Sequence, residues 1–74
     1  MSIKEIISLQ SNGLKAVENR DDQTVLLALS TLHDVAGDTK MPPDVLGAAD
    51  AARDIIREEF AKRLADDPVF ANVA

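Results

Sequence analysis

The chain has 74 residues, with 13 acidic against 8 basic side chains, a formal charge of −5, no cysteine, and Phe60 and Phe70 as its only aromatic residues. That length allows one domain at most, near the size where a single core is marginal, and the missing cysteines exclude disulfides and thiolate metal ligands. The cations are scattered among acids, which argues against nucleic-acid binding, since that affinity comes mainly from a basic face neutralising phosphates.

With so few aromatics the core must come from Leu, Ile, Val and Ala, a composition that favours helices. No apolar run approaches the ~20 residues a membrane-spanning helix needs. The opening "MSIKEIISLQ" carries Glu5 and has no long apolar centre, so it lacks the features of a secretion signal, and an intracellular protein is expected.

The first helix is expected over about residues 3–19. Ser2 and Glu5 have the spacing of a capping box, in which each side chain satisfies a free N–H of the first turn. Ile3, Ile6, Ile7, Leu14 and Val17 fall on one face at about 100° per residue. Gly13 weakens this helix by roughly 1 kcal/mol relative to Ala, so it marks a bend or a close contact.

The second helix is expected over about 22–36. Asp21 or Asp22 is the natural cap, and an acid there suits the positive end of the helix dipole. Val25, Ala28, Leu29, Leu32, Val35 and Ala36 form the apolar stripe, and Gly37 stands where a left-handed terminating glycine belongs. Leu27 points away from the stripe, near Asp34, which makes it a candidate contact residue.

Pro42 and Pro43 close the loop "GDTKM" and open a third helix, since proline fits a first turn and forces its predecessor to be extended. The pattern runs over about 43–65. Val45, Ala48, Ala49, Ala52, Ile55, Ile56, Phe60 and Leu64 occupy one half of the wheel, and Glu58–Lys62 and Glu59–Arg63 are acid-before-base pairs four apart. Gly47 is a possible break, giving four helices instead of three. The tail 66–74 carries Val69, Phe70 and Val73, expected to fold back on the core. The fold class is therefore all-α, a small bundle of three to four helices in a single helical domain.

No chemistry announces itself. His33, the sole histidine, is next to Asp34, but adjacent helical residues point about 100° apart and form no pair; it is expected half-buried beside Leu26 and Leu29. Asp21–Asp22 and Asp66–Asp67 do not fit the calcium-loop pattern. The glycines are single and far apart, so no phosphate-cradling loop is formed. Acyl carrier proteins are similar in size and acidity, but their D-S-L motif is absent and Ser30 lies mid-helix. No enzyme activity, cofactor or metal is expected.

The segment Thr24–Phe60 resembles the N-terminal domain of transcription elongation factor S-II, a type also found in elongin A and Mediator. Ala28, Leu29, Leu32 and Val35 match its A-L-x-x-L-x-x-L helix, and Pro43, Asp44, Val45 and Leu46 match its "(T/P)xDxL" turn. Where that family usually has a basic stretch, this chain has the acidic "AARDIIREEF". The resemblance implies a non-enzymatic, nuclear docking module that binds a short motif of a partner protein at the seam of the second and third helices. Leu27, Met41, Val45, Leu46 and Arg53 are the candidate contact residues there, Arg53 as a charge clamp. The alternative is a homodimer assembled through the alanine-rich face of the third helix, where Ala48, Ala49, Ala51 and Ala52 allow close approach.

Overall fold

A computed structural model describes residues 1–66 as three helices, α1 (Ile3–Glu18), α2 (Asp22–Ala36) and α3 (Pro43–Asp66), each packed against both others. The fold is a small all-α bundle, and among the described residues no helix is long and apolar enough to cross a membrane. The expected docking of Val69, Phe70 and Val73 lies outside the described residues.

The helix starts follow the local chemistry. The Ser2 hydroxyl accepts from the Glu5 N–H at 3.3 Å while the Glu5 carboxylate accepts from the Ser2 N–H at 3.3 Å, which completes the capping box. Asp21 caps α2, accepting from the Thr24 N–H at 3.3 Å and from the Thr24 hydroxyl at 2.6 Å. Those two bonds, the hydroxyl's first, hold the Asp21 carboxyl below its ordinary value of 3.8.

The left-handed residue is Arg20, not Gly37. Gly37 ends α2 at φ −90°, whereas Arg20 has φ 57°. Around Arg20 the Asp21 N–H donates to Ala16 O and the Arg20 N–H to Val17 O, the paired bonds of a Schellman ending. Glycine usually takes that position, since a side chain there costs roughly 1–2 kcal/mol. The turn is tight because Asp21 closes α1 and caps α2 at once.

Gly13 marks a close contact and not a bend. A Cβ built on it would lie 2.6 Å from Ile56 Cδ1 and 3.5 Å from Ala28 Cβ, so all three helices converge there. This seating rotates α1 from the expected face. Ile6, Gly13, Ala16 and Val17 are buried, while Ile3 sits at the rim and Ile7 is 61% exposed. From the other helices the core takes Val25, Ala28, Leu32 and Val35, and Val45, Ala49, Ala52 and Ile56.

α3 is unbroken. Gly47 sits inside it, and a Cβ added there would meet nothing within 4 Å. Ile55 is 40% exposed instead of sharing the core with Ile56. The charge pairs differ from expectation at one position: Lys62 reaches Glu58 at 3.6 Å and Glu59 at 3.4 Å, but Arg63 pairs with Asp22. Arg63 lies close to the core side of α3, where the start of α2 is within reach and Glu59 is not its partner.

Candidate functional site

The arrangement of α2 and α3 defines the site. Arg63 pairs with Asp22 at one end, and Arg53 Nη1 lies 3.1 Å from His33 Nδ1 nearer the other. The two helices therefore run antiparallel, with Leu26 level with Phe60. Because guanidinium only donates, Arg53 is the donor in this contact. His33 is exposed, contrary to the half-buried position expected, because α2 turns that edge outward.

On α2 the buried stripe is Val25, Ala28, Leu32 and Val35. Directly opposite, at the i, i+3, i+4, i+7 spacing of one helix face, Gln23, Leu26, Leu27 and Ser30 line a shallow open shelf. Leu26 is 56% exposed and Leu27 67%. Asp22 and Asp34, both exposed, stand at the two ends of this face; Asp22 is paired with Arg63, so Asp34 is the acid that marks the rim. Leu26 leans to the α3 side, the side of Asp22 and His33. Leu27 leans to the α1 side, where the Thr31 hydroxyl donates back to Leu27 O at 2.9 Å.

The five candidate contact residues do not form one patch. Leu27 is on the shelf. Met41, in the α2–α3 connection, is half-buried with its sulfur 3.8 Å from the N-terminal nitrogen. Val45 is 5% exposed and belongs to the core, because its wheel position coincides with Ala52 and Ile56, so it is withdrawn as a contact residue. Leu46 is half-buried, and Arg53 is half-buried and held by Asp50 and His33. Leu46 and Arg53 thus share the α2-facing edge of α3, away from Leu27.

Leu26, the shelf's second leucine, was detectable in the sequence as the residue of "VLLALSTL" about 100° from Val25, outside the stripe that Val25, Ala28 and Leu32 define. A second groove runs between Lys4, Ser8, Leu9 and Asn12 of α1 and Thr31 of α2, with a more polar lining. Among the described residues no group of three His, Cys, Asp or Glu side chains converges as a metal site would require.

The chain matches no family model, no curated protein and no solved structure.

Proposed function

We propose that this chain is a non-enzymatic protein–protein interaction module whose docking surface is the outer face of α2. The observation that carries this reading is the pair Leu26 and Leu27, more than half exposed, adjacent, and diametrically opposite the core. Single exposed leucines are ordinary, but contiguous apolar surface with a polar rim is how soluble proteins mark a contact site. The partner that fits is an amphipathic helix or short linear motif with aliphatic or aromatic anchors. Exposed Asp34 at the end of the shelf and the net charge of −5 favour basic flanks on that motif. The resemblance of Thr24–Phe60 to the S-II N-terminal domain is what supports a partner in transcription elongation.

The homodimer reading draws support from one edge of α3. Ala49 and Ala52 are fully buried in this chain's own core, which leaves Ala51 and Ile55 as the exposed small-plus-apolar pair.

Peptide display on the full chain tests the module. It should select peptides with apolar anchors three or four residues apart and Lys or Arg flanks. A Leu26→Glu/Leu27→Glu variant with unchanged far-UV circular dichroism should lose them. Selected peptides that bind the variant equally well would overturn the site, and a monomer–dimer equilibrium abolished by Ile55→Glu would favour the dimer.

A further inference from the structure

We infer that the seam between α1 and α3, on the side of the molecule away from the α2 shelf, takes one basic amphipathic helix of a partner protein. The inference goes beyond the shelf, since it concerns another face and other residues.

The seam follows from how the two helices run. The Met1 nitrogen lies 3.8 Å from Met41 Sδ, just before α3, and further along Gly13 meets Ile56. α1 and α3 therefore run parallel from the same end. With a rise of about 1.5 Å per residue, Ile7 is level with Asp50 and Ile55 with Asn12.

At about 100° per residue, the buried positions fix which flank of each helix faces which neighbour. On α1, Leu9 and Asn12 flank the core on the side of Thr31 and α2, which leaves Ile3, Ile7 and Leu14 on the side of α3. On α3, Arg53 reaches His33 of α2, which leaves Ala48, Ala51 and Ile55 on the side of α1. Ile7 is 61% exposed, Ile55 40% and Ile3 38%. Three large aliphatic side chains thus stand out along one seam, against two on the shelf. Half-buried Leu14 and Ala48 continue the apolar surface between them, and contiguous surface of this kind marks a contact site.

The rim decides what fits. Asp44 stands at the end where both helices start and Glu18 at the other, both exposed. Neither has a cation within ion-pair distance among the described residues. Beside Glu18, Glu58 and Glu59 share a single cation, Lys62, so that end is acidic as well. Lys4 lies on the far side of α1, in the groove toward α2. A second copy of the chain would bring acidic ends together, and like charges across an interface are unfavourable. A helix with Lys or Arg near both of its ends meets opposite charge at each. Asp44 and Glu58 are about 21 Å apart along α3, so a partner helix of about four turns spans the rim. Its apolar face, with anchors three and four residues apart, covers Ile7 and Ile55.

The probe is a synthetic helix of Leu and Lys, about 14 residues long to match that span, with its leucines on one face. Its Leu/Glu counterpart is the control. Titrated into the isotope-labelled full chain, the Leu/Lys helix should shift the backbone amides of Ile7, Ala51 and Ile55, and the Leu/Glu helix should not. Ile7→Gln and Ile55→Gln place a good helix former at an exposed position, and either should weaken binding by roughly tenfold. Ile55→Gln stands alone if Ile7→Gln lowers helicity. Binding should also weaken at high salt. Leu26→Gln/Leu27→Gln should leave the seam shifts in place, so failure of the shelf and failure of the seam are read separately. Shifts absent from the seam, binding indifferent to both seam substitutions, or equal binding of the Leu/Glu helix would overturn the inference. So would a concentration-dependent dimer, seen by light scattering and dispersed by Ile7→Gln, because a second copy would then occupy the seam.

Discussion

Replacing Gly13 by Ala tests the geometry on which the bundle depends. Alone in a solvent-facing helix the change would stabilise by about 1 kcal/mol. Here the new Cβ would lie 2.6 Å from Ile56 Cδ1 and 3.1 Å from Ile56 Cγ1, against an ordinary carbon–carbon separation of about 3.5–4.0 Å. Ile56 is fully buried, so Cδ1 has no open space to swing into, and overpacking of this kind costs about 1–3 kcal/mol. The two effects leave Gly13→Ala less stable than the native chain by up to about 2 kcal/mol. For a domain of this size each kcal/mol lowers Tm by about 4–8 °C. Ile56→Val removes the offending Cδ1 and by itself costs about 0.5–1.5 kcal/mol. In the double variant the alanine methyl takes the space that Cδ1 vacates, so the two losses should not add. A coupling of about 1–2 kcal/mol, within the range seen for residues in contact, is expected from urea titrations followed by circular dichroism. A Gly13→Ala chain that gains the full helix-propensity increment, with no coupling to Ile56→Val, would refute the close approach of α1 and α3.

Two further predictions concern the start of α2. The Asp21 carboxyl is held below its ordinary value by Thr24, so its charged cap stabilises the fold above pH 3.8 and that contribution is lost as pH falls below it. Asp21→Asn keeps an acceptor but does not titrate. Its Tm deficit relative to the native chain should therefore shrink below pH 3.8, and a deficit constant from pH 7 to pH 2 would contradict the assignment. The Asp22–Arg63 pair should show a coupling of about 0.5–1 kcal/mol in a double-mutant cycle with Asp22→Asn and Arg63→Met, since Asp22 is half exposed. That coupling should weaken at high salt, and none at low salt would mean that the end of α3 is not anchored to α2.

The helix bounds were readable because the punctuation is local. Ser2 with Glu5, Asp21 with Thr24, and Pro42–Pro43 each act within a few residues, so the sequence contains both partners of every start. What was not readable depended on other helices. The left-handed turn fell on Arg20 because α2 begins so soon after α1 that Asp21 must serve both ends. Gly37, followed by a longer connection, needed no such conformation. Arg63 chose Asp22 over Glu59 because α3 places it beside the start of α2, a fact that spacing along α3 does not encode. Val45 is a different case: the wheel of α3 already set it with Ala49, Ala52 and Ile56, and that placement, not the contact role drawn from the turn motif, is the one the fold follows.

The placement of the exposed leucines follows from the size of the residues at the centre. Gly13, Ala16, Ala28, Ala49 and Ala52 are all buried, and where such residues meet, helix axes approach more closely than larger side chains permit. A narrow interior accepts one long aliphatic side chain per level, and Ile6, Leu32 and Ile56 are the fully buried ones. Leu26, Leu27, Ile7 and Ile55 then have no room inside, although the composition supplies them. A bundle of larger core residues would set its helices further apart and draw such side chains toward the seams. The small residues at the centre and the apolar shelf on α2 are thus two consequences of one packing choice. Widening the centre should alter the surface: a chain that tolerates bulk at Gly13 by moving α1 outward would also change the exposure of Ile7, which the same helix carries.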